Sequence, residues 1–497
     1  MPFCRCQSMM IPRLTPSEMI SIIRHGVKKT SFPKKIIIAG AGMAGLVSGS
    51  LLKASGHDIT ILESAERVGG RVYTLRSAFQ SEQYLDAGAM RIPSVHLLTL
   101  EYIRKFNLPI NEFISRTPND LIYVNGIKTT LKKYVENPDI LGYPLAPWER
   151  NKNALELFLI ATRPVLDFMN QNPEKNWKLL MREFDKYSIE HFLRHNPVGP
   201  SLSAGAVDQI KTLMALSGFP ELSFLGLLKE LQYIIDPNIR FYEITGGNDQ
   251  LPHSFLPELR DNVWLEHKIT EITQNPNSIT IHSIHSKTSE RFEITGDLAI
   301  ITIPFSAFKF IRVEPYNSFS QKKWQAIRQL HYVSSTKIGI QFKSRFWEKE
   351  GLYGGHTVTD LPIRFTYYPS HGIGSPGPGV VLASYTWEDE SDCWESLNEE
   401  ERVQQALKNL SIIHGNQVHR EFIAGCSYVW NQSPHHSGAF SLFKPEQGST
   451  LGPYLSTPEG RVHFADEHAS DTPAWMQGAI ESAIRVVNEV NDLPNYN

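Results

Sequence analysis

Lys34-Lys35-Ile36-Ile37-Ile38-Ala39-Gly40-Ala41-Gly42-Met43-Ala44-Gly45 is the stretch that decides the fold. The β-branched run Ile36–Ile38 suits a strand buried on both faces, and it runs straight into closely spaced glycines followed by a helical pattern. Gly40 would permit a tight turn, Gly42 would let backbone N–H groups approach a pyrophosphate, and Gly45 would let helix and strand pack closely. Ile59-Thr60-Ile61-Leu62 reads as a second strand, and it ends at Glu63. That acid lies roughly twenty residues past the glycines, where a carboxylate can accept bonds from an adenosine ribose. A glycine string alone is a weak signal. Here strand, glycines, helix, strand and acid stand in order, and together they predict a dinucleotide-binding unit.

Outside this unit the composition is that of an ordinary globular protein. The chain has 497 residues, is 41% hydrophobic and carries a net charge of −3. That length leaves room for two or three domains, and nothing is basic enough to suggest nucleic acid. Four cysteines, Cys4, Cys6, Cys393 and Cys426, form no CxxC and no metal-type cluster, so reduced thiols and no metal are expected. Residues 1–35 carry scattered charge without the apolar core of a signal peptide, and no segment reaches the length of a membrane span. A soluble, cytoplasmic protein is the expectation. Met19, Ile20, Ile22, Ile23 and Val27 give residues 15–30 the pattern of an amphipathic helix packed onto the body.

The string after the second strand, Glu63-Ser64-Ala65-Glu66-Arg67-Val68-Gly69-Gly70-Arg71, resembles the flavin-containing amine oxidase family. In that family a second glycine-rich turn and its arginine contact the diphosphate of FAD. Leu85-Asp86-Ala87-Gly88-Ala89-Met90-Arg91-Ile92-Pro93 and Glu101-Tyr102-Ile103-Arg104-Lys105-Phe106-Asn107 are similar to the L-amino acid oxidase branch, bacterial and snake-venom types included. The resemblance runs from about residue 20 to 490. It implies an α/β protein with α+β parts: a discontinuous, Rossmann-like FAD-binding domain of the two-dinucleotide-binding-domain kind (residues 34–93, 241–306 and 446–491), a mixed-sheet substrate domain (94–128 and 307–445) and a helical domain (129–240). Residues 1–33 would form an N-terminal helical extension.

The same resemblance implies the site. Gly40, Gly42, Met43, Ala44, Gly45, Glu63 and Arg71 would hold FAD at its nucleotide end. Gly88, Ala89, Met90, Arg91, Ile269, Glu467, Trp475 and Met476 would contact it further along. Arg91 would pair with the substrate carboxylate, which suits a planar guanidinium able to bind bidentately, although pairing with a structural acid is the plain alternative. Lys337, in Ser335-Thr336-Lys337-Ile338, stands where the family places a catalytic lysine that holds a water near flavin N5; an exposed strand lysine would look the same in sequence. Tyr385, in Val380-Val381-Leu382-Ala383-Ser384-Tyr385-Thr386-Trp387, is the preferred second carboxylate contact, with Tyr367 and Tyr368 as substitutes. Trp475 and Ala474 would wall the substrate cavity.

Other stretches refine this picture. Asn125-Gly126 between apolar residues reads as a hairpin with a type I′ turn. Residues 138–240 read as helices, and the part that carries a histidine base in venom-type enzymes is here Leu228-Lys229-Glu230-Leu231-Gln232, so no base is assigned. Thr245-Gly246-Gly247-Asn248 resembles a central family motif, and Leu298–Pro304 reads as a further parallel-type strand. In Arg461-Val462-His463-Phe464-Ala465-Asp466-Glu467-His468, Asp466 occupies a position where glycine is usual. It would either weaken FAD or take a sugar hydroxyl. The helix beginning near Trp475 would aim its N-terminal amides at the flavin N1–C2=O edge. No cysteine lies near that motif, so FAD is expected to be noncovalent, and the polar end Asp492–Asn497 has no anchor pattern.

The expected reaction is oxidative deamination of an L-amino acid. A hydride leaves Cα for flavin N5, the imino acid hydrolyses to a 2-oxo acid and ammonia, and O2 is converted to hydrogen peroxide. A homodimer is the expected assembly, with no membrane or nucleic-acid partner. The competing readings are a monoamine or polyamine oxidase, an amino acid 2-monooxygenase, and a catalytically silent FAD-binding protein.

Overall fold

In the computed structural model, which describes residues 14–491, 493 and 494, the glycine-rich stretch lies at the centre of a five-stranded parallel sheet. The order is Val263–Trp264, Asp58–Leu62, Lys35–Ala39, Leu298–Ile301 and Val462–Phe464. Ile36, Ile37 and Ile38 are fully buried, as are Leu298, Ala299 and Ile300 beside them, which is why both strands read as continuous apolar runs. The helix Met43–Ser55 crosses from the first strand to the second and packs against the C-terminal helix Met476–Asn491.

The turn into that helix depends on the absence of side chains. Gly40 has φ +111, and a Cβ on Gly45 would lie 1.9 Å from the Gly40 carbonyl oxygen. Neither atom can move without moving the sheet, so helix and strand approach this closely only with glycine at 45.

A four-stranded layer, Arg291–Gly296, Ile279–His285, His267–Gln274 and Arg312–Glu314, covers one side of the parallel sheet. Its last strand pairs in parallel with His267–Gln274, and Gln321–Gln329 packs into the same apolar cluster, so residues 312–330 lie with the nucleotide-binding sheets. A second large sheet has seven strands in the order Phe422–Val429, Ser335–Phe342, Gly379–Trp387, Phe365–Tyr367, His356–Thr359, Leu121–Val124 and Ile127–Thr130. Asn125 and Gly126, with φ 54 and 75, join the last two, as the Asn-Gly pair requires of a type I′ turn.

Helices from Ala154–Gln171 to Phe224–Ile235 form the third body. Asn153 and Glu156 make a capping box at the first, and Pro173 starts the next helix directly after it. The N-terminal amphipathic helix is Pro16–His25, shorter than its apolar pattern suggests, because Gly26 at φ +79 ends it. Met19 and Ile23 are buried, and Arg24 bonds Glu101 at 2.7 Å. Cys393 is exposed and Cys426 buried, both free, while Cys4, Cys6 and most of the polar C-terminal stretch lie outside the described residues. Among the described residues no helix is long and apolar enough to cross a membrane.

The close approach at Gly45 yields a direct expectation. Gly45→Ala places a methyl against a backbone oxygen and should destabilise the fold by about 3 kcal/mol or more. Gly49→Ala, four residues on, meets side chains alone, the flexible Ile61 Cδ1 at 2.7 Å and Ile38 Cδ1 at 3.5 Å, and should cost distinctly less. Denaturant unfolding of the two variants side by side checks the order; equal losses would show that the tight turn is not the constraint.

Candidate active site

The carboxyl ends of the parallel strands open into a cavity of about 1180 Å³ that continues between the seven-stranded sheet and the helices. Its inner end is built by the first turn. Gly42 gives the helix Met43–Ser55 no side-chain cap, so the first-turn amides face the cavity without a capping partner, and a Cβ at Gly42 would meet nothing within 4 Å. An anion placed there would find N–H donors and the positive end of a helix. Glu63 lies buried beside this turn, accepting from the N–H groups of Ala41 and Ala65, both at 2.8 Å. The second glycine pair closes over it: Gly69 donates its N–H to the carbonyl of Ala41 at 2.8 Å, and Gly70 packs against Gly42.

Arg71 follows directly and is held by two carboxylates. Its Nη1 donates to Glu467 Oε1 at 2.6 Å and its Nη2 to Asp466. Burial alone would lower the guanidinium; Asp466 and Glu467 outweigh it and keep the charge fixed. Burial would raise the Asp466 carboxyl, but Arg71 outweighs that and holds it below the ordinary carboxylate range. Glu467 also accepts from Ser441 Oγ and from the N–H of Ala474, each at 2.8 Å. Asp466, Glu467 and His468 bring three ligand-type atoms within 4.8 Å of one another, yet the guanidinium already engages both carboxylates.

Further along, the wall is Gly88-Ala89-Met90-Arg91, the irregular segment between the short strands Leu85–Asp86 and Ile92–Pro93. Gly88 presses so closely on the Arg71 backbone that a Cβ would lie 1.9 Å from its carbonyl oxygen. Behind it, Lys337 Nζ donates to the carbonyls of Asp86 and Gly88 at 3.0 and 2.7 Å. Lys337 is thus 1% exposed and lies beneath the cavity lining; the exposed-lysine alternative does not apply. Burial lowers its ammonium, with Asp86 acting against that shift. Asn248 completes the support, its Nδ2 donating to the Ala89 carbonyl at 2.9 Å, so the Gly246-Gly247-Asn248 turn props the cavity wall.

The outer part of the cavity is largely apolar, with Arg91 as its half-buried cation. Arg91 has its guanidinium carbon 5.1 Å from the centre of the Phe241 ring and no hydrogen bond or ion pair with any described residue, which removes the alternative of a structural acid partner. Tyr385 lines the same space, with the Lys337 ammonium 4.4 Å from its ring centre, and burial pushes its hydroxyl up to about 12, so it stays a neutral donor. Tyr367 lines the cavity too. Tyr368 does not: its hydroxyl bonds Thr357 and His414 on the other face of the sheet.

Ala474 adopts φ +66, which is uncommon for a residue with a Cβ, and its N–H bond to Glu467 holds it there. That turn delivers Trp475 into the wall. The indole Nε1 donates to Glu230 Oε2 at 2.5 Å, and the rings of His96 and Tyr233 meet the indole edge-on at 4.9 and 5.8 Å. Gly40, Gly42, Met43, Glu63 and Arg71 line the cavity, as do Gly88, Ala89, Met90, Ile269, Glu467, Trp475 and Met476. Ala44 and Gly45, in contrast, lie behind the lining and act through packing.

Three comparisons identify the architecture. The model of the flavin-containing amine oxidoreductase family matches residues 43–491. The chain belongs to that family. It is therefore an oxidoreductase with a flavin cofactor, and the unpaired first-turn amides, the open space at Gly42 and the buried acid at Glu63 suit such a group. YobN of Bacillus subtilis (strain 168), provisionally named an L-amino-acid oxidase, is 52% identical over 481 residues, 97% of this chain and 99% of that protein. The L-amino-acid oxidase of the fish Siganus canaliculatus is 34% identical over 95% of this chain and 88% of its own. Among solved structures, a redesigned putrescine oxidase has a TM-score of 0.75 at 19% identity, covering 92% of this chain and 99% of its own. Cyclohexylamine oxidase from Brevibacterium oxydans has a TM-score of 0.72 at 18% identity, over 93% and 99%. At those identities they establish the shared fold.

Several lining residues carried no recognisable motif. His96, Glu230, Phe241 and the pair His435-His436 reach the cavity from different elements, and only the tertiary fold gathers them. Burial pushes Glu230 up to about 7, with the Trp475 bond and Lys229 acting against it, and pushes His96 down to about 3. Glu230 therefore binds its proton more tightly folded than unfolded, where a glutamate titrates near about 4.3. The folded state holds more protons in that window, so stability falls as pH rises from about 4 to about 7. Glu230→Gln lacks this loss. Its melting temperature relative to wild type should climb between pH 5 and pH 8, and a flat difference would show that the carboxyl is not raised.

Proposed function

We propose that the chain is an FAD-dependent L-amino acid oxidase, converting an L-amino acid, water and O2 into a 2-oxo acid, ammonia and hydrogen peroxide. One observation carries the reading: a half-buried guanidinium, Arg91, faces a largely apolar cavity with no partner for its charge among the described residues. Such a group is costly unless something anionic completes it, and a substrate carboxylate does so bidentately. The names of the relatives at 52% and 34% identity support the same substrate class.

Bound at this cradle, FAD would supply the redox chemistry, as acceptor of a hydride from Cα and donor of two electrons to O2. The protein supplies the rest. Arg91 and the neutral Tyr385 hydroxyl hold the two carboxylate oxygens and fix which face of Cα is presented. Trp475, braced by Glu230, and Ala474 wall the same cavity. Lys337 anchors the Asp86 and Gly88 carbonyls from behind, and in this reading its remaining N–H would hold a water. Orientation of this kind contributes a large part of a barrier reduction without an acid or base. Gly42, Met43, Glu63 and Arg71 would hold the cofactor noncovalently at the first turn, while the indole at 475 and the glycine segment at 88 would enclose its other end. The division into residues 34–93, 241–306 and 446–491 against the sheet and helical parts belongs to the same reading, with residues 312–330 moved to the first part because they pack with the nucleotide-binding sheets.

The reading separates from an amine oxidase on the same fold through Arg91. Charge-assisted hydrogen bonds contribute about 1.5–3 kcal/mol each, so Arg91→Ala should lower kcat/KM for the best amino acid at least about a hundredfold. The ratio of activity on an amino acid to that on its decarboxylated amine should fall sharply, and Tyr385→Phe should cost less. An unchanged ratio would remove Arg91 from the substrate site, and formation of an amide with carbon dioxide would favour the monooxygenase.

A second test concerns the cofactor cradle. Gly42→Val introduces a side chain at φ −74 into open space, so the protein should fold with near-normal thermal stability yet purify without colour. Yellow, fully loaded Gly42→Val protein would place the cofactor elsewhere.

A further inference from the structure

Arg71 is held by more negative charge than it needs. Two carboxylates, Asp466 and Glu467, share one guanidinium, and Glu467 is separately satisfied by Ser441 and the Ala474 N–H. Asp466 is the surplus charge. It is 6% exposed, its N–H donates to Ser482 Oγ at 2.9 Å, and its carboxylate is also approached by His468 Nδ1 at 3.4 Å.

This cluster stands beside the first turn. Arg71 directly follows Gly70, whose Cβ would lie 3.3 Å from Gly42 Cα, and Asp466 lies just past the end of Val462–Phe464, whose strand runs in the same sheet as Lys35–Ala39. Arg71, Asp466, Glu467, Gly42 and Met43 line one cavity. A dianionic diphosphate drawn to the Met43–Ser55 N-terminus would therefore meet an arginine already taken by a carboxylate, with a net negative charge behind it.

We propose that Asp466 is an affinity-setting residue: by occupying Arg71 it opposes the diphosphate of the cofactor, so the chain holds FAD more loosely and exchanges it more readily than its own cradle would otherwise allow. The proposal rests on the FAD reading given above. It takes the first of the two roles open to Asp466 in sequence, because Asp466 Oδ2 is already engaged by Arg71 beside the first turn.

The test is the dissociation constant of FAD from the full-length holoenzyme, read from the rise in flavin fluorescence on serial dilution, for wild type, Asp466→Asn and Asp466→Gly. Asparagine keeps the shape and can still accept from Arg71 while losing the charge. Removing a like charge across roughly 10 Å at an effective dielectric near 20 should tighten FAD about tenfold or more, with a smaller gain at high salt. ADP, which carries the diphosphate, should show the same gain as a competitor, whereas riboflavin, which lacks it, should show none. Asp466→Glu, which keeps the charge, should stay near wild type. Should glycine at 466 disturb folding, the asparagine variant alone decides. Unchanged or weaker FAD binding in Asp466→Asn, or an equal gain for riboflavin, overturns the proposal. A wild-type protein that binds no FAD at any concentration overturns the FAD reading itself, and the proposal with it.

Discussion

Everything in the site hangs on one steric fact, the seating of Gly45 against the carbonyl of Gly40. Because no side chain separates them, the helix Met43–Ser55 starts directly over the sheet and its unpaired amides open onto the carboxyl ends of the strands. A parallel sheet collects its loops at that end, so the other cavity-forming segments are brought there by topology. Glu63, Thr302 and Asp466 all follow strands of this one sheet at its carboxyl end, although they come from far apart in the chain.

A second constraint is polar. The segment at Gly88 and Ala89 lies between two short strands and outside any ladder, and its carbonyls would be orphaned if left alone. Lys337 and Asn248 satisfy them, with Thr74 and the Asn248 N–H meeting the Asp86 carboxylate at 2.5 and 3.0 Å. Three separate regions of sequence, at Thr74, Asn248 and Lys337, thereby converge on the backbone oxygens and the one carboxylate of this short segment. The cavity wall is stiff because it is hydrogen-bonded from behind, which is what a site that works by orientation requires.

Much of this was legible in the sequence because the determinants are local. The strand, glycine and acid order between Lys35 and Glu63 set the sheet, and Asn125-Gly126 set a hairpin, since each is a short-range steric demand. The candidate ligands Arg91, Tyr385 and Trp475 were legible through motif resemblance, and they do line one cavity. What sequence did not convey was tertiary. Glu230 looks like any helix glutamate, and only its placement against the Trp475 indole makes it a half-buried acid of the cavity wall. His435 and His436 belong to no pattern, and they reach the cavity because a loop crosses the glycine pair at Gly69-Gly70. The N-terminal helix was overextended for a similar reason: its apolar periodicity continues to Val27, but the backbone turns at Gly26. Lys337 was readable as a position in a strand, not as a buried support.

The balance of charge in the cavity explains why Arg91 is chemically decisive under this reading. Burial acts on the titratable groups around it in one direction, toward neutrality: Lys337 downward, Glu230 and Tyr385 upward, His96 downward. Arg71 escapes through its two carboxylates, but they cancel its attraction for anything in the outer cavity. The half-buried Arg91 guanidinium, stacked near Phe241, is left without compensation by any described residue. In a low-dielectric, largely apolar space such a charge is felt strongly, and a ligand lacking an anionic group would leave it unsatisfied. Selection for a carboxylate then follows from what the surrounding residues fail to neutralise, independently of the apolar contacts that accommodate the rest of the substrate.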